Sequence, residues 1–197
     1  MTENLSDSAL DLIFREARSY NSWKAEGVSE DTIRQIYELL KMAPTSANQQ
    51  SGRFVWCTSA EAKERLARFA SEANKPKITG APACVIIAYD IDFHEHLPWL
   101  FPHTDAKSWF EGDAEARKEH AFRNSTLQGA YLMLAARALG LDCGPMSGFD
   151  NAGVDKEFFS EQPEYRSNFI CSIGHGDPAS IFERSPRPDF AKFNELI

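Results

Sequence analysis

The stretch from Leu127 to Leu139 constrains this chain more than any other. It is the second half of a predicted helix that runs from about Asp113 to Leu139, and it is apolar nearly all round. A surface helix carries one apolar stripe. A helix without a polar face has to lie in the middle of something. Gly140 stands at its C-cap position and closes it. Gly144-Pro145-Met146-Ser147-Gly148-Phe149-Asp150 follows at once. Two glycines and a proline within five residues predict a fixed, irregular loop. Gly148 leaves the main chain bare, so a flat ligand could lie on it and take hydrogen bonds from nearby amides. The same glycines also serve if they only turn the chain. Asp150 is placed to cap a short helix reaching Phe159.

The rest of the chain supplies the layers. A helix is predicted over Ser8 to Ala17. A second begins at Ser29, an N-cap residue with Glu30 and Asp31 in its first turn, and Pro44 ends it. Arg53 to Thr58 reads as a strand, and Ser59 caps a third helix through Ala70. Asn74 to Pro82 is read as a loop. Cys84 to Tyr89 is a continuous apolar run, as in a strand buried on both faces. Asp90 to Phe110 is irregular and aromatic, and a connection of that length inside a domain is usually functional. Asn168 to Ile173 is a last strand. Strands are few and alternate irregularly with helices, so the expected class is α+β, a small sheet flanked by helices, with residues 1–197 forming one domain.

With 197 residues, 43% of them hydrophobic and 25% charged, the chain can bury a real core. A net charge of -8 argues against a nucleic-acid binder, which needs a basic face. The start, Met1 to Asp7, is polar and acidic, so no signal peptide is expected, and without a window of about 18 apolar residues no membrane span is expected. Cys57, Cys84, Cys143 and Cys171 are far apart and mostly inside apolar runs, which predicts buried free thiols of a reducing cytoplasm.

Three familiar chemistries fit poorly. Gly174, Gly176 and Ala179 satisfy a dinucleotide fingerprint after a strand, but Pro186 and Pro188 forbid the long helix it needs. Ser147 sits one place off a hydrolase elbow, and nothing pairs it with His103 or His175. His94, Glu95 and His96 are spaced i, i+2 in a loop, unlike zinc ligands on a helix. Arg18, Lys77, Arg184 and Arg187 can be read as ordinary surface charge, or as cations from distant parts of the chain that converge on one phosphate. Thr45 to Gly52 carries no large apolar side chain and many donors and acceptors, the composition of a solvated loop.

Several segments together resemble the flavin-dependent nitroreductase family over nearly the whole chain. They are Ala43-Pro44-Thr45-Ser46-Ala47-Asn48, Leu100-Phe101-Pro102-His103, Ala106-Lys107-Ser108-Trp109-Phe110, Ala121-Phe122-Arg123-Asn124-Ser125 and Leu139 through Asp150. Within the family the chain is most similar to the malonic semialdehyde reductases of pyrimidine degradation. The resemblance implies an intertwined homodimer with FMN at the interface, NADH or NADPH as electron donor, and a small aldehyde, nitro or quinone acceptor. It assigns Arg18, Ser19, Tyr20 and Ser22, with Arg184 and Arg187, to the FMN phosphate. Asn74 and Lys77 fall at the pyrimidine edge of the flavin. Ser46, Asn48 and Gln50 lie along the ring and ribityl chain, partly from the partner subunit. Pro145, Met146, Ser147 and Gly148 face the ring near N5; many relatives carry glutamate where Ser147 stands, which leaves its backbone amide as the contact. Leu97 to Phe110 is the expected lid, with Phe101, His103, Trp109, Phe110 and Arg123 as substrate contacts.

Overall fold

The computed structural model describes residues 4–197; Met1, Thr2 and Glu3 of the polar start lie outside the described residues. Ser6 caps α1 (Asp7–Leu10), which continues through a π-turn over Asp11–Arg15. In α2 (Glu30–Leu40) the Ser29 hydroxyl accepts from the Thr32 amide, as the acidic first turn suggested. β1 spans Gly52–Cys57, and Ser59 caps α3 (Ala60–Ala67) by accepting from the Ala62 amide. The expected loop at 74–82 instead contains α4 (Lys75–Thr79), because Pro76 sits in its first turn, where a missing amide costs nothing. β2 spans Ala83–Asp90, and every residue in it is buried.

The aromatic segment is less irregular than its composition suggested. It holds α5 (Leu97–Leu100) between 3₁₀ turns at Phe93–His96 and Lys107–Phe110. Phe93, Leu97 and Ala106 are buried with Tyr89 and Ala121 in a small core of their own, with Phe101 and Phe110 packed on it. The long helix is α6 (Ala114–Ala138), capped by the Asp113 carboxylate. Leu139 is its C-cap, and Gly140 follows at φ 78°, one place beyond the position expected.

The expected loop at 144–146 is instead part of β3 (Asp142–Met146). It is an edge strand, which is why Pro145 is tolerated in it. α7 covers Asn151–Phe158, but the Asp150 side chain makes no capping hydrogen bond. β4 covers Tyr165–Gly174, longer than predicted at its start, and α8 (Phe190–Phe193) lies in the exposed tail.

The four strands form one antiparallel sheet in the order β1-β2-β4-β3. Alternation along β2 sends Cys84, Ile86 and Ala88 to one face, against Leu66, Ala67 and Val154 of α3 and α7. Val85 and Ile87 go to the other, against Ile36 and Leu40 of α2 and Leu132, Ala135 and Ala136 of α6. Helices therefore cover both faces, and β2 reads as a continuous apolar run although its neighbours are antiparallel.

The sheet covers only one side of α6. Leu127 and Tyr131 stay 46% and 38% exposed, and Phe122 is also exposed. The helix thus has a buried face and an outward apolar face, rather than the burial on all sides that its sequence called for. Tyr37, Leu39 and Met42 add further exposed apolar surface at α2.

Candidate functional site

The predicted residues gather at two corners of the sheet. The first lies on the outer edge of β3. There Ser19 bridges Cys143, and the Tyr20 amide donates to the Cys143 carbonyl at 3.0 Å. The same stretch holds the returning tail. The Ser22 carbonyl accepts from the Asp177 amide at 3.0 Å, and the Ser22 amide donates to Ser180 Oγ at 3.3 Å. Arg18 donates to the Phe182 carbonyl, while Arg184 Nη2 donates to the carbonyls of Arg15 and Ala17 at 2.7 and 3.2 Å. The two arginines clasp each other's strand of chain, so residues 166 positions apart in sequence share one surface. Neither has a carboxylate within ion-pair distance among the described residues. Burial and the nearby Asp142 carboxylate raise the Tyr20 phenol above its ordinary range, with Arg18 pulling the other way. Arg187 does not join them. Among the described residues its guanidinium bonds only to the Ser185 and Pro186 carbonyls.

Asn74 and the end of β3 complete this corner. Asn74 Nδ2 donates to the Gly148 carbonyl at 3.1 Å, and the Ser71 amide donates to the same oxygen at 2.9 Å. A Cβ on Gly148 would fall 2.9 Å from Asn74 Nδ2 and 3.1 Å from Ser71 Oγ, so the bare α-carbon first of all admits Asn74. Ser147 and Gly148 are exposed, as is Pro145, but Met146 points inward and packs beside Ile78 and Ile170. Its side chain is core and is removed from the candidate contacts. Lys77 holds its backbone in place through Ser172, whose hydroxyl donates to the Lys77 carbonyl at 3.0 Å; its ammonium has no partner among the described residues.

The second corner is at the start of β1. Ser46, Asn48 and Gln50 lie on a tight turn in which Ala47, Asn48 and Gln50 take φ of 50°, 48° and 44°. Non-glycine residues adopt this left-handed conformation at a cost, so something must hold it. The helix α6 does. Asn124 Oδ1 accepts from the Ser46 amide at 2.9 Å, and Ser51 Oγ donates to the Ala121 carbonyl at 3.0 Å. On the strand side, Arg53 donates to the Gln50 and Gly52 carbonyls and to Asp90 Oδ2 at 2.5 Å.

The aromatic segment abuts this turn, since Asn48 Nδ2 donates to the Leu100 carbonyl at 2.8 Å. Phe101 stands edge-on to His103 and Trp109, with ring centroids 5.3 and 6.2 Å apart, and Phe110 stands edge-on to Phe93. His103 and Trp109 are exposed. Arg123 is exposed and paired with Glu119, one helical turn away.

The two corners do not meet within one chain. Gly52 and Gly144 lie on opposite edge strands and five residues apart in register, which separates them by roughly 22 Å. Sequence reasoning missed Ser71, Gln128 and the Arg53–Asp90 pair. Gln128 left a trace, because it and Asn124 are amides one helical turn apart in a helix otherwise rich in apolar residues. After Gly174 the chain makes a 3₁₀ turn at Pro178–Ser180 in place of the long helix that a dinucleotide site needs, His175 faces Glu26 at 3.4 Å, and neither His175 nor His103 bonds to Ser147 among the described residues.

Residues 14–175 match the family described as "Nitroreductase family". Arg184 and Arg187 lie beyond that span. A relative from Xanthomonas oryzae, described provisionally as an NADH dehydrogenase/NAD(P)H nitroreductase, is 55% identical over 190 residues and 96% of each chain. A similarly described protein of Burkholderia lata is 55% identical over 186 residues, 94% of this chain and 95% of its own. Among solved structures, a nitroreductase-like protein of Bacillus subtilis superposes with a TM-score of 0.88 at 21% identity, over 98% of this chain and 100% of its own. One from Exiguobacterium sibiricum, solved with FMN, gives 0.85 at 23% identity over the whole of both chains. No helix among the described residues is long and apolar enough to cross a membrane. The family match over most of the chain, the close relatives and the shared fold lead to one conclusion: this chain belongs to the nitroreductase family.

Proposed function

We propose that the chain is a cytoplasmic, FMN-dependent NAD(P)H oxidoreductase, that residues 1–197 form one FMN-binding domain, and that it works as a homodimer. The observation that carries this reading is the first corner, where two guanidinium groups without carboxylate partners among the described residues converge beside Ser19, Tyr20 and Ser22. Such forks suit a phosphate. Arg187 would reach it only by leaving its own carbonyls. Asn74 bonds to Gly148, and Lys77 is tied through its carbonyl to Ser172, the strand partner of Gly144, so an amide, an ammonium and exposed backbone would be available to a flavin ring at this corner. The ammonium suits the negative charge that a reduced flavin carries near N1 and O2. Bound FMN would take a hydride from NADH or NADPH and pass it to an acceptor.

The separation of the corners, and the outward apolar faces of α6 and α2, support the dimer. A second copy would cover Leu127 and Tyr131 and bring Ser46, Asn48 and Gln50 of one chain toward the first corner of the other. Phe101, Trp109 and Phe110 would then exclude water. For the acceptor we favour malonic semialdehyde, reduced to 3-hydroxypropionate in pyrimidine degradation. His103 and Arg123 offer a site for its carboxylate, once Arg123 exchanges Glu119 for it. The relatives' descriptions favour a broader nitro or quinone acceptor range as the second reading. A flavin-binding protein without turnover is the third.

A visible spectrum tests the cofactor, and a colourless protein that takes up no added FMN ends the reading. Anaerobic NADPH should bleach the bound flavin; persistent colour would indicate a binder. Relative turnover with malonic semialdehyde and a nitroaromatic separates the two enzymes.

A further inference from the structure

Four hydrogen bonds join the sheet, the long helix, the left-handed turn and the aromatic segment in series. The Gly52 amide donates to Gln128 Oε1 at 2.7 Å. Gln128 Nε2 donates to Gln50 Oε1 at 2.7 Å. Gln50 Nε2 donates to Asn48 Oδ1 at 2.9 Å, and Asn48 Nδ2 donates to the Leu100 carbonyl at 2.8 Å. A carboxamide has one accepting and one donating end. Both ends of this series are closed by backbone groups that cannot exchange roles, since an N–H only donates and a C=O only accepts. The orientation of all three side-chain amides is therefore determined. Turning any one of them sets acceptor against acceptor or donor against donor.

Gln128 is the buried end of the series, 3% exposed, while Asn48 is exposed. Gly52 is built for the contact: a Cβ there would fall 2.7 Å from Gln128 Oε1. We propose that Gln128 is a positioning residue, the fixed anchor from which this one-way amide series sets both the Ser46–Gln50 turn and the beginning of the aromatic segment at Leu100. The functional meaning of that turn rests on the FMN reading above; the mechanical linkage does not. Through it, a buried helix residue that would touch neither flavin nor acceptor determines how two parts of the site face each other.

Amide hydrogen exchange of the full-length protein, with and without FMN, tests the linkage. Gln128→Met keeps the side-chain volume and removes both of its bonds. It should speed exchange by about tenfold over residues 46–52 and 97–103, as expected for loss of a buried hydrogen bond, and leave 17–22 and 147–150 unchanged. Faster exchange throughout the chain would mean general destabilisation and overturn the proposal. Faster exchange at 46–52 with 97–103 unaltered would overturn the linkage. If Gln128→Met does not fold, Asn48→Asp decides. It still accepts from Gln50 but opposes a carboxylate oxygen to the Leu100 carbonyl, so 97–103 should loosen while 50–52 stays protected. Unaltered exchange at 97–103 would overturn the proposal. A wild-type protein that fails to bind FMN would sink the flavin reading and leave this exchange pattern as predicted.

Discussion

Replacing Arg184 by alanine should weaken FMN binding and leave riboflavin binding nearly unchanged. Arg184 uses one nitrogen, Nη2, on the carbonyls of Arg15 and Ala17, which leaves the rest of its fork available. Among the described residues it has no carboxylate partner to release before an anion binds. A charge-assisted hydrogen bond to a phosphate contributes about 2 kcal/mol, which corresponds to a rise in Kd of about 30-fold. The site is open to solvent, so the effect should shrink as salt is raised. Arg184→Lys keeps the charge but loses the planar fork and should fall between. The assay is quenching of flavin fluorescence on titration, run in parallel with FMN and riboflavin at two ionic strengths. Riboflavin has no phosphate and reports whether the rest of the corner survives. If both ligands weaken by the same factor, Arg184 acts by holding the tail against residues 15–17, and the phosphate assignment is wrong.

Leu127→Glu on the outward face of α6 should yield monomers by light scattering and a protein that no longer retains FMN; a dimer with bound flavin would remove α6 from the interface. Ile87→Ala, in the fully buried layer between β2 and α6, should cost about 3 kcal/mol by chemical denaturation. Burial pushes the Cys57 thiol up to about 11 and the Cys84 thiol up to about 12, and Cys171 is also raised. All four cysteines are free and buried, so a thiol reagent at neutral pH should label them only after unfolding. Lys107 donates to Glu95 at 2.7 Å, which lowers the Glu95 carboxyl and raises the Lys107 ammonium. The tie is thus present above the ordinary carboxylate range and lost as pH falls through Glu95's lowered value. At the alkaline end it persists up to the ordinary lysine range and is lost as pH rises through Lys107's raised value. Fluorescence of nearby Trp109 should follow that window in the wild type and lose its acid edge in Glu95→Gln.

What the sequence showed depended on how local each signal was. The caps at Ser29 and Ser59 rest on a side-chain hydroxyl bonding an amide three residues on, so pattern reading found them. The buried strand at 84–89 was legible because helices cover both its faces, so every position along it is apolar. Gly144-Pro145-Met146 was misread because glycine and proline speak for a turn, whereas an edge strand tolerates them; only pairing with β4 decides. The inward side chain of Met146 was missed for the same reason, as β-strand alternation turns it into the core. The tail–Arg18 clasp needed chain closure over most of the sequence, and charge alone could not tell Arg184 from Arg187. Gln128 left only the trace of an amide one helical turn from Asn124; its role was not legible because an amide's meaning lies in its partners.

The left-handed turn has a consequence for anyone seeking a hardier form of this protein. Three side-chain-bearing residues sit there in a conformation that glycine adopts freely, each at a cost of about 1 kcal/mol. Ala47→Gly should therefore raise the melting temperature while making the turn more pliable. A screen that rewards heat resistance alone would select such changes and, with them, a less exact catalyst.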